Sequence, residues 1–379
     1  MKLKLLAVAG ICCVGGWANA VHAQDHTMSI VSSAVPMLRM SADARAGGMG
    51  DAAIAVSPDA SAVFWNRSKL AFAKERSALS VTYAPWMRSA GPHDVFLASM
   101  AGYLKFGNDQ AVSIGMRYFN MGEVQYADEN GQLLQTAKPN EYAIDAGYSR
   151  ALSKRFAISV ALRYIYSGLA NNYSVNGYTY KAGHAAAADV TLYYQGLNDK
   201  GAGWSAGLTL SNLGSKVSYS NNAIDQDYIP ANLGLGAAYT WRLDETSKLT
   251  WALDLNKLMV PTPPENTSDS SMKVYRDKGV VSSWFSSFGD APGGFSEELK
   301  EWQVSSGLEY NYDDMIGIRG GYFYENRWKG GRSYATLGVG MKFQWLGANF
   351  SYLIPTGKDI NNNPIRQSLR ASLVFTLAK

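Results

Sequence analysis

The sequence predicts an all-β protein, a 14-stranded antiparallel transmembrane β-barrel with an N-terminal plug segment and long extracellular loops. Segments in which apolar residues alternate with small or polar ones recur along the chain from residue 77 onward. The connections between these segments are alternately short and long. The composition includes 37 Gly, 23 Tyr and 10 Trp but only 17% charged residues, which suits strands that face lipid on one side and water on the other.

Residues 1–23 have the pattern of a secretory signal peptide. Lys2 and Lys4 precede an apolar run from Leu5 to Gly16, and Ala20 or Ala23 provides a small residue for cleavage. Both cysteines of the chain lie in this segment, so no disulfide and no thiol chemistry is expected in the mature protein. The sequence leaves the choice between the two cleavage sites open.

Residues 24–76 form the predicted plug. The segment has no regular hydrophobic period, and glycine, alanine and scattered charges dominate it. Glycine permits close backbone approach and positive φ, which suits a chain folded tightly inside a barrel. The residues expected to build the plug are Asp43, Arg45, Gly47, Gly48, Gly50, Asp51, Trp65 and Asn66.

Residues 77–379 form the predicted barrel. Around residue 160, for example, the apolar Ile158, Val160 and Leu162 alternate with Ser159 and Ala161, which is the period of a strand. The 14 segments of this kind begin near residues 77, 95, 110, 141, 156, 186, 203, 231, 248, 301, 315, 334, 346 and 368.

The lengths of the connections favour a membrane barrel over a soluble sheet protein. Connections after even-numbered strands are short, such as residues 107–109, and those after odd-numbered strands are mostly long, such as residues 259–300. Outer-membrane barrels have tight periplasmic turns at one rim and extended loops at the other. Strand N–H and C=O groups in hydrocarbon all need partners, so the sheet must close.

The predicted barrel interior carries charges of both signs. One interpretation is a polar conduit, and the other is an ion-pair network that holds a plug. We favour the network because the N-terminal segment is long enough to fill the lumen. By alternation, the inward charged residues are Arg117, Asp145, Arg163, Asp189, Asp254, Glu309, Arg319, Lys342 and Arg370.

Several long motifs resemble the PorV family, also called LptO. These are SADARAGGMGDA and SPDASAVFWN at residues 41–52 and 57–66, and DLNKLMVPTPP and SSFGDAPGGFSEEL at residues 254–264 and 286–299. PorV proteins are outer-membrane components of the type IX secretion system of Bacteroidetes and are related to FadL. The family usually has proline after the Trp-Asn pair, whereas this chain has Arg67, so a looser turn is expected there.

The resemblance implies a protein that lies in the lipid of the outer membrane and binds other proteins. Such a barrel binds a SprA/Sov-like translocon and the C-terminal signal domains of exported proteins. It then carries the exported proteins to a surface attachment complex with a PorU-like sortase. The alternative is a FadL-like transporter of hydrophobic small molecules, which the mostly small, polar or charged inward positions disfavour.

No enzyme, cofactor or metal site is expected. Of the four histidines, the first, His22, is lost with the predicted signal peptide or lies at its margin, and no pair among the others has metal-ligand spacing. The chain has no Gly-x-Ser-x-Gly motif. Its formal net charge of +4, two of which lie in the signal peptide, argues against a nucleic-acid partner.

The long loop from Met259 to Lys300 is the best candidate for a partner-binding surface. Prolines stiffen its start, and residues 280–288 suggest a short amphipathic helix. Exposed aromatic residues on such loops are typical interface anchors, although the same rings would also serve to seal the barrel mouth. The residues expected to bind a partner are Pro263, Pro264, Trp284, Phe285, Phe288 and Phe295.

Overall fold

The computed structural model describes residues 30–86, 94–127, 133–169, 173–175, 178–220, 226–264, 268–356 and 368–378. The predicted signal peptide lies outside these residues and stays a prediction. No helix in the described ranges is long and apolar enough to cross a membrane.

Fourteen strands form one closed antiparallel barrel, which confirms the predicted fold class. Each strand pairs with the next in the chain, and the last pairs with the first, with Tyr83 opposite Ala371. The strands are β1 (Ser77–Pro85), β2 (Val95–Phe106), β3 (Gln110–Met121), β4 (Asn140–Ala151), β5 (Phe156–Gly168), β6 (Gly183–Leu197), β7 (Gly203–Gly214), β8 (Asn232–Arg242), β9 (Ser247–Leu258), β10 (Gln303–Tyr312), β11 (Ile316–Tyr324), β12 (Ser333–Phe343), β13 (Leu346–Pro355) and β14 (Leu369–Ala378).

Two predicted strand starts differ by more than one residue from the structure. Strand β6 begins at Gly183 rather than near residue 186, because residues 183–185 already pair with β5. This start is alanine-rich, so its two faces differ little in hydrophobicity. Strand β10 begins at Gln303 rather than near residue 301, because Leu299–Glu301 forms a turn of 3₁₀ helix.

The apolar face of the strands points outward. On β5 the outward Leu162 is 74% exposed and Val160 is 52% exposed, whereas the inward Ala161, Arg163 and Ile165 are buried. In a membrane this outward face lies against hydrocarbon, and the small and charged residues line the lumen.

The N-terminal segment lies inside the barrel. It contains the 3₁₀ turns Pro36–Arg39, Ala60–Phe64 and Arg67–Phe72, and the short helix α1 (Ala44–Gly47). Its side chains are deeply buried, and Met37, Met49 and Leu70 are each 0% exposed. The described part of the segment therefore fills the lumen, as a plug does.

Short connections lie at one rim of the barrel, and long connections lie at the other. Residues 107–109 and 313–315 are typical of the short-turn rim, where β2 and β10 end. At the long-loop rim the connections carry structure of their own, including the hairpin of Val124–Ala127 with Leu133–Ala137. The longest connection, between β9 and β10, contains the helices α2 (Asp269–Asp277), α3 (Val280–Ser286) and α4 (Phe295–Glu298).

The plug runs from one rim to the other. At the long-loop rim Val35 packs in a cluster with Val217 and Ile229. At the short-turn rim Leu70 packs with Ala111. The described chain thus enters the lumen under the long loops and leaves it where β1 begins.

Candidate functional site: a plugged lumen and the loop at its mouth

Arg45 joins the plug to the barrel wall. Its guanidinium donates from Nε and Nη2 to the two carboxylate oxygens of Glu309 on β10, at 2.9 and 2.8 Å. It also pairs with Asp59 of the plug at 2.8 Å, and Glu309 accepts from Arg319 at 2.7 Å. Bidentate charge-assisted hydrogen bonds are among the strongest in proteins, so these contacts fix α1 against the wall.

Two aspartates of the plug accept hydrogen bonds from aromatic residues. Asp43 caps α1 by accepting from the Ala46 N–H at 2.9 Å, and it accepts from the indole N–H of Trp65 at 2.6 Å. Asp51 accepts from the Tyr334 hydroxyl of β12 at 2.6 Å. Asp43 and Trp65 hold the plug together internally, and Asp51 attaches it to the wall.

The glycines of the plug allow its backbone to touch the wall. A Cβ atom on Gly48 would lie 2.9 Å from the Gly338 Cα, and one on Gly47 would lie 2.7 Å from the Arg370 guanidinium. Gly50 has φ +64°, and a Cβ there would lie 2.5 Å from the backbone N of Tyr322. A larger residue would move the plug away from β11 and β12.

The turn after Trp65 is held firmly, so the expected looseness at this turn is wrong. Asn66 is fully buried and donates to the carbonyl oxygens of Ile54 and Leu192 at 3.1 and 3.0 Å. Arg67, 1% exposed, forms an ion pair with Asp145. The ion pair of its side chain fixes this turn, as the ring of a proline would fix it through the backbone. The identity of the residue at position 67 does not by itself predict this contact.

The inward charges of the wall form the predicted network. Asp254 accepts from the backbone N–H groups of Ala53 and Ile54 at 2.6 and 2.8 Å, and Arg163 links Asp145 to Asp189. Lys342 differs, because it lies at the short-turn rim and is 40% exposed beside Glu75. The buried ones are Arg117, Asp145, Arg163, Asp189, Asp254, Glu309, Arg319 and Arg370.

A second group of ion pairs holds the β9–β10 loop, and the strand pattern does not predict it. Lys257 has the same parity as the outward Leu255, yet it is 1% exposed and pairs with Glu298 and Glu301 at 2.9 and 2.5 Å. Lys329, from the β11–β12 connection, also pairs with Glu301 at 3.0 Å. Its second partner is Glu297.

The predicted partner-binding residues divide into two sets. Phe285 and Phe295 are 76% and 77% exposed, and Phe288 is 42% exposed. Trp284, Pro263 and Pro264 are half-buried, so these three are less available to a partner. We call Val281, Phe285, Phe288 and Phe295 the loop surface, since each exposes a large apolar side chain.

The chain is similar in fold to several solved structures. The toluene transporter TodX of P. putida aligns with 90% of this chain and 99% of its own, at 12% identity and a TM-score of 0.51. The Ralstonia pickettii toluene transporter TbuX aligns with 89% and 98%, at 11% identity and a TM-score of 0.53. A Pseudomonas aeruginosa FadL homologue aligns with 92% and 99%, at 10% identity and a TM-score of 0.46.

The fold and its plug thus define a closed, plugged β-barrel with the same fold as the transporters TodX and TbuX. A family model described as type IX secretion system protein PorV matches residues 22–265. The chain belongs to the PorV family. No curated protein matches the chain. In outer-membrane barrels the tight turns are periplasmic, so the short-turn rim is periplasmic and the long-loop rim is extracellular.

Proposed function

We propose that this barrel is the component of the type IX secretion system that binds the translocon and the C-terminal signal domains of exported proteins. It shuttles these proteins to a PorU-like sortase and attachment complex at the cell surface. The observation that carries the proposal is the loop surface, a set of exposed apolar side chains on an extracellular loop that ion pairs hold in place. Exposed aromatic residues on an ordered scaffold are typical anchors of protein interfaces.

The ion pairs beneath the loop support this role. Lys257 and Lys329 bind three glutamates of the loop, so the segment that carries Phe295 is fixed before any partner arrives. A surface that is already ordered loses less conformational entropy on binding.

The lumen supports binding rather than transport. Its cavity, about 70 Å³, is lined by arginine, asparagine and other polar residues as well as aromatic ones. Typical pockets for small organic ligands are about 300–1,000 Å³ and mostly apolar. A path for hydrophobic molecules would require the plug to leave its contacts with Glu309 and Asp254.

We also propose that the chain has no catalytic activity of its own and that signal removal belongs to the sortase. In the described part of the chain, no group of three or more His, Cys, Asp or Glu residues could hold a metal ion. The proposed role requires only binding and release.

Affinity capture from outer membranes tests the proposal. The tagged wild-type barrel is expected to recover a translocon and a sortase, and the double variant F285S/F295S is expected to recover much less of at least one of them. Trp345→Ser, which removes an exposed aromatic residue at the periplasmic rim, is the matched control. Recovery of neither partner by the wild type, or co-purification of an apolar small molecule instead, would refute the proposal.

A further inference from the structure

A cavity of about 70 Å³ lies in the extracellular half of the lumen, between the plug and the barrel wall. Leu38, Arg39, Ile54 and Trp65 of the plug line one side of it. Residues from the extracellular ends of β7 to β12 form its wall, among them Asn232 and Gln303. The cavity therefore lies where the extracellular part of the plug meets the wall.

Three arginines line this cavity, and two of them lack an acidic partner. Arg332 pairs with Glu325 at 2.7 Å. Arg39 donates to the side-chain oxygen of Gln303 at 2.7 Å, and Arg117 donates to the Leu38 carbonyl at 2.7 Å. Neither Arg39 nor Arg117 forms an ion pair within the described ranges.

The polar atoms of the cavity wall are incompletely satisfied. The Nε atoms of Arg39 and Arg117 are buried and have no hydrogen-bond partner among the described residues. Arg117 is only 5% exposed. Asp51 is the one acid in the lining, and it is already bonded to Tyr334. Glu325 and Asp51 lie near enough to act electrostatically on Arg39, but neither forms an ion pair with it. A buried guanidinium without a directly paired carboxylate is costly, and an anion between the arginines would offset that cost.

We propose that the cavity binds a carboxylate group, in particular the free C-terminal carboxylate of an exported polypeptide. This inference rests on the proposed function and names the part of the exported protein that the barrel recognises. The planar guanidinium group of arginine matches the geometry of a carboxylate. The side-chain amides of Gln303 and Asn232 line the same cavity and would hydrogen-bond the last peptide groups of the chain.

Size and access favour a chain end over other carboxylates. A cavity of about 70 Å³ accommodates a carboxylate with a small residue but not an acyl chain. Arg332 lies in the extracellular β11–β12 connection, and its side chain is 39% exposed. A polypeptide end that reaches the cavity from the extracellular side thus meets Arg332 first, and Arg39 and Arg117 line the same cavity.

Ligand binding by the purified full-length barrel in lipid nanodiscs tests the inference. The probe is N-acetyl-trialanine with a free carboxylate, followed by saturation-transfer NMR, and its C-terminal amide is the matched control ligand. Butyrate and chloride distinguish a peptide terminus from a small carboxylate and from an inorganic anion. Each variant is first checked for heat-modifiable migration on SDS gels, which reports a folded barrel.

The free acid is expected to bind saturably, and the amide at least tenfold more weakly. Arg39→Gln should weaken binding of the acid at least tenfold. Arg332→Gln should weaken it as well, and its exposed position in a loop keeps this variant informative if Arg39→Gln misfolds. Arg327→Gln, an exposed residue of the same connection outside the cavity, should bind like the wild type.

Equal binding of acid and amide, or unchanged binding in folded Arg39→Gln, would overturn the inference. Butyrate or chloride binding as tightly as the peptide acid would overturn the assignment to a chain end. The translocon-capture experiment is independent, since Arg39→Gln leaves the loop surface intact. Failure of capture with intact peptide binding would refute the proposed function, and the reverse result would refute the cavity assignment alone.

Discussion

Gly50 is the residue at which the plug depends most on the absence of a side chain. Its positive φ and its contact with the Tyr322 backbone both exclude a Cβ atom. Gly50→Ala should therefore destabilise the seated plug by about 2 kcal/mol, the usual range for backbone strain with local repacking. The measurement is the urea concentration at which the plug becomes accessible to protease.

Gly289→Ala is the matched control for this substitution. A Cβ atom at Gly289 would meet nothing within 4 Å, and its φ lies outside the left-handed region. The control should behave like the wild type. Equal protease sensitivity of the two variants would contradict the close contact between plug and wall.

Arg67 provides a second residue-scale prediction. Removing its charge in Arg67→Met leaves Asp145 buried with Arg163 as its remaining ion-pair partner, and breaking a buried pair costs about 3 kcal/mol or more. The double variant R67M/D145N should recover part of that loss, because it removes the buried carboxylate that has lost one of its two arginine partners. The measurement is the temperature at which the fast-migrating folded form disappears from SDS gels.

A double variant no more stable than Arg67→Met would show that the two residues are not coupled. Arg150→Met, an exposed arginine near the periplasmic rim, is the control and should not shift the transition.

At the scale of elements, alternation predicted the strands because one face of each meets lipid and the other meets the plug. The pattern is weak where both faces are small, as at the alanine-rich start of β6. It also gives no indication that Lys257, at an outward position of β9, is covered by the loop that follows this strand. Tertiary burial of this kind leaves no local periodic signal.

The β9–β10 loop should respond to acid. Burial alone would raise the pKa of Glu297, but hydrogen bonds from Lys329 and the Gly293 N–H hold it below its ordinary value of 4.5. The ionised carboxylate therefore stabilises the closed loop above pH 4.5, and this stabilisation is lost as the pH falls through the lowered pKa. We expect α4 to become mobile in that acidic range.

A spin label on Ser296→Cys measures this motion, since both native cysteines lie in the predicted signal peptide. Its spectrum should stay broad down to pH 4.5 and sharpen only at lower pH, because the pKa of Glu297 lies below that ordinary value. A label on Ser282→Cys, on α3 and away from these ion pairs, is the control. A Ser296 label with the same mobility at pH 7 and in acid would contradict the contribution of Glu297.

At the scale of the whole molecule, the plug makes the barrel a closed structure. Arg45 connects the plug to the wall through ion pairs with Asp59 of the plug and Glu309 of the wall. The wild type should show little conductance in planar bilayers, and Arg45→Ala should show more frequent openings. Stable large conductance in the wild type would contradict a lumen filled by the plug.

The barrel and its plug could be predicted because both follow from regular patterns, one periodic and one compositional. The cavity could not, since Arg39 had no pattern and Arg117 was one of nine inward charges. Whether Arg39 and Arg117 form ion pairs depends on how the plug and the wall meet in the folded chain. The ion pairs beneath the loop surface could not be predicted either, because Lys329 and Glu301 come together only in the folded chain.

The central claim is that the extracellular loop surface binds secretion proteins. Photo-crosslinking in intact outer membranes tests it most directly, with a crosslinking residue at position 285 and a control at position 345. Position 285 should form adducts with a translocon protein or an exported protein, and position 345 should not. Absence of protein adducts at position 285, or the same adducts at both positions, would contradict the claim.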